Sequence, residues 1–369
     1  MASTPFKFDH VGSFLRPESL KKARRDYEAG SITAEELKSV EDEAITELIK
    51  KEKEVGLHAI TDGEFRRATW HLDFMWAFDG VGHSKTETGL PFHGEAAMID
   101  DTYLTGKIVY KTHPFIEHFK FVQQFEDEDT VAKLTIPAPA QFLEQMIMPF
   151  AWGNTKKFYD TPEQVAEDIA NGYKEFIKDV YAAGCRNLQF DDCSWGMVVD
   201  PSACKFFGTT PAGLEKIKNT LLDINNKSIE GKPEDLVINT HVCRGNFHST
   251  YASSGAYTGV AATLFAKENV NAYYLEYDDE RSGGFEPLKS VTGDKKVVLG
   301  LITTKSPELE DEQAIIDRIN EAAKYIPLDR LCLSPQCGFA SCEIGNKLTE
   351  EEQWAKLRLV KKIAKKVWG

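Results

Sequence analysis

The sequence predicts an α/β protein, a closed (β/α)8 barrel of the TIM type, from three observations. Eight short β-rich segments alternate with helical segments along the 369 residues. Most of these segments are apolar throughout, as parallel strands covered on both faces are. Alternation of strand and helix also favours right-handed parallel units. We expect the strands at residues 8–14, 59–65, 132–138, 187–191, 236–243, 272–277, 297–303 and 331–334.

Capping residues mark the starts of four predicted helices. Two starts have the spacing of a capping box, and two place a threonine before a first-turn proline. Apolar residues follow each start at helical intervals. The capping-box threonines are Thr33 and Thr349, the threonines before proline are Thr161 and Thr210, and a fifth helix is expected around residues 314–323.

One stretch, residues 79–130, interrupts this alternation after the second strand. It contains a predicted hairpin, which joins residues 102–104 to residues 107–110, and a predicted helix at residues 115–125. We interpret the stretch as an insertion. Because no repeat, low-complexity tract or linker occurs, we expect residues 1–369 to form a single domain.

Composition and charge exclude several classes of function. Lys and Arg total 44, Asp and Glu total 58, and the formal net charge is −14. This acidic balance does not suit nucleic acid or an anionic membrane surface. No apolar run approaches the ~20 residues of a membrane span, and the first residues lack the pattern of a signal peptide. We therefore expect a cytoplasmic protein whose seven cysteines are buried thiols, reactive thiols or metal ligands rather than disulfides.

Polar and ionisable residues gather where the predicted strands end. In an α/β barrel, these ends and the loops that follow them form the active site. Apolar strands that share one polar edge are typical of a functional site. The polar strand ends are residues 10–13, 62–67, 191–193 and 241–243, Glu276, Lys305 and residues 336–338.

His241 and Cys243 are the most informative pair. Residues i and i+2 of a strand point to the same side, so the imidazole and the thiol can converge. Both groups are good zinc ligands, although such a pair alone is more often a hydrogen-bonded histidine beside a buried cysteine. Glu276 and Cys337 end later strands and could reach the same edge. Together the four side chains would make a four-ligand metal site.

The order and spacing of these segments resemble the catalytic half of the cobalamin-independent methionine synthases, and most closely the short, single-barrel members of that superfamily. The resemblance covers nearly the whole chain. The matching segments are Gly12-Ser13-Phe14, Gly63-Glu64, Leu134-Thr135, Gln189-Phe190-Asp191-Asp192, Thr240-His241-Val242-Cys243, Leu275-Glu276 and Pro335-Gln336-Cys337-Gly338.

The resemblance implies a zinc-dependent methyltransferase that methylates the thiol of homocysteine and so forms methionine. The implied donor is methyltetrahydrofolate or methylcobalamin. The expected partners are therefore a small thiol and a methyl donor, with a homodimer as a candidate assembly. Zn²⁺ would be held by His241, Cys243, Glu276 and Cys337. The amino-acid thiol would be bound by Ser13, Glu64 and Asp191, and the candidate catalytic residues are Asp191 and Lys305.

Two departures from the family pattern leave the methyl donor open. The longer enzymes carry a second barrel that helps to hold folate, and this chain has no room for one. The family's Ile-His-Ser-Pro segment reads Thr304-Lys305-Ser306-Pro307 here. Lys305 could carry a proton or hold an anionic donor, or it could cap a strand end and face solvent. Similarly, the tryptophans near strand ends, Trp70, Trp76 and Trp195, could stack on a flat donor or pack under the insertion.

The predicted ligand set has a chemical consequence. Little of a free thiol is thiolate at pH 7, and coordination to a metal removes its proton. Two thiolates and one carboxylate around Zn²⁺ leave an electron-rich metal, which favours a nucleophilic substrate sulfur. Two alternatives keep the metal: an alkyltransferase that acts on another thiol, such as coenzyme M, and a non-catalytic zinc- or thiol-binding barrel closed by four protein ligands. For Glu64 and Asp191, the alternative to binding a substrate ammonium is capping, or pairing with Arg66 or Arg67.

Overall fold

Strands and helices alternate along most of the chain. The computed structural model describes residues 4–369, apart from the side chain of residue 91. The strands are β1 (Ala59–Ile60), β2 (Asp79–Ser84), β3 (Leu90–Phe92), β4 (Glu95–Ala97), β5 (Asp101–Val109), β6 (Val131–Ala132), β7 (Leu134–Pro137), β8 (Asn187–Asp192), β9 (Val237–Val242), β10 (Ala272–Glu276), β11 (Lys296–Ile302) and β12 (Leu331–Pro335). The α-helices are α1 (Glu18–Glu28), α2 (Ala34–Val55), α3 (Leu72–Met75), α4 (Phe115–Gln123), α5 (Pro139–Ile147), α6 (Pro149–Thr155), α7 (Pro162–Ala182), α8 (Ser194–Val199), α9 (Ala203–Phe206), α10 (Pro211–Ser228), α11 (Leu264–Lys267), α12 (Glu312–Ala322) and α13 (Glu350–Trp368).

A six-stranded parallel sheet forms the centre of the fold. Its strands lie in the order β12-β11-β10-β9-β8-β7, so each strand pairs with its neighbour in sequence. β1 pairs in parallel with β6, and Phe8 forms an isolated parallel bridge with Leu333 of β12. The predicted α/β class with a parallel sheet is confirmed. The pairings among residues 4–369 do not include a ladder between residues 8–14 and β1, so the closed barrel stays a prediction.

The sheet is buried on both faces. Every residue of β8, β10 and β12 is buried, as expected for parallel strands covered by helices. The longer helices present one apolar stripe to the sheet; in α7 this stripe includes Val165, Ile169, Phe176 and Val180. None of the helices in residues 4–369 is long and apolar enough to cross a membrane.

All four predicted N-caps lie at helix starts, and three of them make a side-chain capping hydrogen bond. Thr33 and Thr349 form capping boxes at the starts of α2 and α13, and the Thr210 hydroxyl accepts a hydrogen bond from a backbone N–H of α10. Thr161 is the N-cap of α7 with Pro162 in its first turn, as predicted, but its hydroxyl makes no capping hydrogen bond. The carbonyl of Thr161 accepts a hydrogen bond from the N–H of Gln164 (3.2 Å), and the Gln164 side chain accepts one from the N–H of Asp160 (2.8 Å). The start of α7 is thus satisfied without the threonine hydroxyl.

The hairpin predicted within residues 102–110 is wrong, whereas the helix predicted at 115–125 is confirmed as α4. Residues 101–109 form the single strand β5, which pairs antiparallel with β2. Buried and exposed residues alternate along much of β5, so one face packs inward, and Gly106 continues the strand instead of turning it. A separate hairpin, β3–β4, follows β2 and reaches the carboxyl edge of the central sheet.

Candidate metal and thiol site

Parallel register brings the predicted site residues to one edge of the sheet. Asp191 of β8 lies opposite His241 of β9, and Val242 lies opposite Leu275 of β10. Cys243 and Glu276 each follow one residue later, so both stand at the carboxyl end of the sheet. This edge is where loops after parallel strands build binding sites.

Four side chains at this edge converge on one point. The ligand atoms of His241, Cys243, Glu276 and Cys337 all lie within 4.8 Å of one another, and all four residues are buried. The two Sγ atoms are 3.9 Å apart, and His241 Nε2 is 3.7 Å from Glu276 Oε1. Two sulfurs bound to one tetrahedral zinc, each at ~2.3 Å, are about 3.8 Å apart. The spacing and the donor set therefore fit a metal ion of the zinc type.

The electrostatics of this cluster also favour a cation. Hydrogen bonding to Cys243, together with burial, holds the pKa of the Cys337 thiol well above its usual value. Burial disfavours the imidazolium of His241, but Cys337 and Asp191 outweigh burial and raise the pKa of His241 to about 9. The Cys337 thiol and the His241 imidazole therefore bind protons more tightly than usual. A divalent cation at this point would compete with those protons.

Further contacts orient the ligand side chains. Asp191 Oδ1 lies 3.2 Å from His241 Nδ1, the carboxylate–imidazole arrangement that orients metal-binding histidines. The backbone N–H of Arg244 donates to Glu276 Oε1 (3.0 Å), and the Arg281 guanidinium donates to Oε2 (2.8 Å). Glu276 is therefore held at both oxygens by groups other than the cluster.

The predicted thiol-binding residues share a narrow cavity with this cluster. Ser13, Glu64 and Asp191 line it together with three of the four ligands, His241, Cys243 and Cys337. Among other residues, Trp70 and Asn246 complete its wall. The structure thus brings together seven of the eight predicted site residues, since Glu276 Oε1 lies 3.7 Å from His241 Nε2.

Glu64 keeps one oxygen free in this cavity. Its Oε1 accepts from the Thr135 hydroxyl (2.9 Å) and lies 3.4 Å from Arg67, whereas the buried Oε2 has no hydrogen-bond partner. Burial raises the pKa of Glu64 to about 7, with the nearby Asp191 carboxylate acting in the same direction. Pairing with Arg67 therefore occurs, but it leaves one carboxylate oxygen available to a ligand.

An unusual turn presents Glu64. Gly63 and Glu64 both have left-handed backbones, with φ of 63° and 62°, a conformation that residues other than glycine seldom adopt. Asp62 accepts the N–H of Glu64 (2.8 Å), and Arg16 donates to its carbonyl (2.7 Å). Backbone strain of this kind is typical of functional sites.

Close approach of two loops positions Ser13. The N–H of Ala340 donates to Ser13 Oγ (3.3 Å), and a Cβ built on Gly338 would lie 1.9 Å from that oxygen. Only glycine fits at residue 338. Because residue 338 has no side chain, the segment after β12 can approach Ser13 closely and place Cys337 beside it.

Lys305 lies elsewhere. Its Nζ is 3.7 Å from Asp278 Oδ2, and Asp278 also accepts from Arg281, which in turn holds Glu276. Lys305 does not line the narrow cavity. Its catalytic role stays a prediction, and three successive ion pairs connect it to the ligand Glu276.

A second, mainly apolar cavity of about 140 Å³ adjoins the first and was not predicted. Trp70 and Asn246 line both cavities, whereas Trp195 is buried in the core and Trp76 stacks on His83. The apolar residues of this second cavity come from β3, β4 and the segments around α3, α5, α8 and β9. The apolar side chains include Leu90, Phe92, Ala97, Ile99, Met148, Phe150, Met197, Phe206 and Phe247.

Two polar residues of this second cavity, His71 and Glu144, were missed by sequence reasoning, whereas Cys193 belongs to a predicted strand end. His71, Glu144 and Cys193 line it, and the Cys193 thiol lies within hydrogen-bonding reach of Cys243. Glu144 occupies a helix of otherwise mostly apolar residues, α5, which begins directly after β7. A carboxylate at such a position, close behind a strand end, is the one signal that could have pointed to it.

Comparison with known proteins identifies a family whose members resemble this chain over most of its length. The family model described as cobalamin-independent synthase, catalytic domain, matches residues 6–366. A Bacillus subtilis protein described as uncharacterized protein YxjH is 44% identical over 365 residues, which are 99% of this chain and 95% of that protein. The methionine synthase of Saccharolobus solfataricus is 21% identical over 342 residues, 89% of this chain and 86% of that enzyme.

Two solved structures share the fold. The crystal structure of a candidate vitamin-B12-independent methionine synthase from Listeria monocytogenes covers 100% of both chains, with 41% identity and a TM-score of 0.79. A B12-independent methionine synthase from Shewanella sp. W3-18-1, in complex with selenomethionine, covers 98% of this chain and 97% of that chain, with 19% identity and a TM-score of 0.70. Since the family model spans nearly every residue, the chain belongs to the family of cobalamin-independent methionine synthase catalytic domains.

Proposed function

We propose that this protein is a zinc-dependent methyltransferase that transfers a methyl group to the sulfur of homocysteine and so forms methionine. The observation that carries the proposal is the convergence of His241, Cys243, Glu276 and Cys337 beside a cavity lined by Ser13, Glu64 and Asp191. A group of metal-ligating side chains beside polar and charged groups that can bind an amino acid supports a reaction at an amino-acid thiol.

Zinc bound by these four residues would supply the positive charge that replaces the proton of the substrate thiol. The protein ligands would give the site a formal charge of −1, because two thiolates and one carboxylate surround Zn²⁺. Asp191 and the outer partners of Glu276 would hold the ligands in place while the substrate binds.

The amino-acid part of the substrate suits the remaining groups of the cavity. Asp191 and the free oxygen of Glu64 can accept hydrogen bonds from an ammonium group, and the ammonium would favour the ionised form of Glu64. The Ser13 hydroxyl can donate to a carboxylate. The Shewanella enzyme, which shares the fold, is in complex with selenomethionine, and a ligand of this class is what the three residues suit.

The proposal includes a closed eight-stranded barrel within a single domain of residues 1–369. Phe8 bridges to β12, the N–H of Phe14 donates to the carbonyl of Gly63 (3.1 Å), and β1 pairs with β6. These contacts link residues 8–14 to both ends of the open sheet. They support closure through the first segment, which would enclose the site at the carboxyl end.

A combined metal and product analysis tests the function. The purified protein is assayed for bound metals and for methionine formed from homocysteine, with methyltetrahydrofolate (mono- and triglutamate) and methylcobalamin as donors and coenzyme M as a competing thiol. We expect one zinc per chain and methylation of homocysteine in preference to coenzyme M.

X-ray absorption at the zinc edge separates a catalytic site from a closed structural one. We expect addition of homocysteine to add one sulfur to the zinc coordination sphere. An unchanged spectrum, with no product from any donor, would favour a non-catalytic zinc barrel and contradict the proposal.

A further inference from the structure

The apolar cavity beside the thiol site contains one carboxyl group, that of Glu144. Glu144 is buried, with 4% of its surface exposed, and its Oε1 has no hydrogen-bond partner. One turn earlier on α5, Gln141 accepts the N–H of Cys193 through its side chain (3.0 Å). The Cys193 thiol in turn reaches Cys243. Glu144 therefore lies on a wall that leads to the metal-ligand cluster.

This carboxyl group holds its proton at neutral pH. Burial, with the nearby Asp192 carboxylate acting in the same direction, raises the pKa of Glu144 to about 8. The other titratable residues that line the cavity are His71, Cys193 and Cys342. Burial lowers the pKa of His71 to about 3, so its imidazole is neutral.

Glu144 and His71 are thus both uncharged, and Glu144 is the one carboxylic acid among the described residues that line the cavity. Among the described residues that line it, none is lysine, arginine or aspartate. A methyl donor with a permanent positive charge would find no carboxylate partner there. A neutral donor whose methyl group is carried on an amine nitrogen would find apolar walls, the aromatic rings of Trp70 and Phe92, and one acid.

We propose, on the basis of the proposed function, that Glu144 is a catalytic general acid that protonates the leaving nitrogen of an amine-type methyl donor bound in this cavity. An amine anion is a very poor leaving group, so transfer of a methyl group from nitrogen requires a proton at that nitrogen. A carboxylic acid with a pKa near the working pH suits this task.

The step balances without another reactant. A bond forms between the substrate sulfur and the methyl carbon, and the carbon–nitrogen bond breaks. The electron pair of that bond stays on nitrogen, which takes the proton from the Glu144 carboxyl group. The proton released by the substrate thiol, returned through solvent, restores Glu144, so the net reaction converts a thiol and an N-methyl amine into a methyl thioether and an N–H amine.

Glu144→Gln, which keeps the shape and removes the proton donor, tests this role with two donors. With 5-methyltetrahydrofolate, we expect kcat to fall by about 10²-fold or more, the usual worth of a general acid. With methyl iodide, whose leaving group needs no proton, we expect homocysteine methylation to change less than about threefold. The wild-type rate with the folate should also decline above about pH 8, as Glu144 loses its proton, and the variant should lack this decline.

Glu268→Gln is the matched control. Glu268 is also buried, its pKa is also raised to about 8 by burial and Asp192, and one of its oxygens also lacks a partner, but it does not line the cavity. We expect this variant to keep wild-type rates with both donors. Infrared spectra give an independent readout, because the protonated-carboxyl band that titrates near pH 8 should weaken in each variant.

The outcomes separate this inference from the proposed function. If the wild type methylates homocysteine with neither donor and with no other, the function itself fails, and the role of Glu144 falls with it. If it uses methyl iodide or methylcobalamin but no amine donor, or if Glu144→Gln slows both donors equally, the acid role alone is overturned. Should Glu144→Gln not fold, Glu144→Asp, which keeps the acid, must retain the dependence on donor.

Discussion

Two of the buried clusters of ionisable side chains in the described residues differ in how charge is balanced. In the first, near the start of the strands, Lys133 lies 3.0 Å from Asp9 and over the ring of Tyr274. In the second, at the carboxyl edge, two thiols and the Glu276 carboxylate face a single imidazole. The first cluster is neutral by its own pairing, whereas the second has a surplus of groups that bind cations.

The remaining members of the first cluster are also satisfied by the protein. Burial raises the pKa of Glu52 well above its usual value and lowers that of His10 to about 3, so both are neutral. Thr61 donates to Glu52, and His10 Nε2 contacts the carbonyl of Ala59 (2.9 Å). The comparison teaches that buried charge alone does not mark a functional site. The metal site is marked instead by the convergence of four ligand side chains on one point, although one of them, Glu276, also pairs with Arg281.

Removal of a ligand from the unbalanced cluster should have the largest effect. We expect Cys337→Ser to lower zinc affinity by well over the ~10–100-fold that loss of an outer hydrogen bond costs, because a direct ligand is lost. Thiol methylation should fall with it. Metal analysis after dialysis against a chelator measures the change.

Cys204→Ser controls for the loss of a thiol as such, since Cys204 is not part of the cluster. Full zinc occupancy and full activity in Cys337→Ser would remove Cys337 from the metal site.

Breaking the balanced cluster should affect stability instead of metal binding. Lys133→Met leaves the Asp9 carboxylate buried without its partner, so we expect a loss of about 3–5 kcal/mol in the free energy of unfolding. Urea denaturation measures this loss, and zinc content at 25 °C should stay at the wild-type level. Loss of zinc with unchanged stability would reverse the assignment of the two clusters.

The balanced cluster should also contribute to the pH dependence of stability. Burial opposes ionisation of Asp9, but Lys133 and His10 together more than offset it, so the pKa of Asp9 is lowered on folding. A lowered carboxyl pKa stabilises the fold above the unfolded pKa, about 3.9, and this stabilisation disappears as pH falls through the folded value. We expect the difference in stability between wild type and Lys133→Met to shrink below about pH 4. A difference that stays constant with pH would contradict the ion pair.

Asp191 contacts the ligand His241 and also lines the thiol-binding cavity, so its substitution should affect both zinc binding and substrate binding. At saturating zinc, we expect Asp191→Asn to raise KM for homocysteine by about 10–100-fold, through loss of a charge-assisted hydrogen bond to the ammonium. KM for a simple alkyl thiol should change little. Equal effects on both thiols, with weaker zinc binding, would limit Asp191 to orienting His241.

Lys305 should give the smallest effect. Because its ammonium group pairs with Asp278 and reaches Glu276 only through Arg281, we expect Lys305→Ala to lower kcat less than about tenfold. A loss of 10²-fold or more would support the direct catalytic role predicted from its place in the family segment.

Sequence patterns predicted the local structure correctly where the interacting residues are close together along the chain. The capping boxes at Thr33 and Thr349 formed as predicted, because each joins residues three apart. The hairpin at residues 102–110 did not form, because β5 pairs with β2, some twenty residues earlier along the chain. No turn signal within β5 could reveal that partner, since strand pairing depends on which faces become buried.

The sequence by itself determined the parallel α/β class and the residue types at the strand ends, and the two-residue period of a strand placed the side chains of His241 and Cys243 on one side. Only the tertiary structure decided that Glu276 and Cys337 reach the same point, that Asp191 binds His241, and that Lys305 stands apart. It also decided the mainly apolar cavity around Glu144, whose lining comes from segments scattered along residues 70–342. The physical reason is that proton affinity and ligand geometry depend on burial and on neighbours distant in sequence, which local periodicity does not encode.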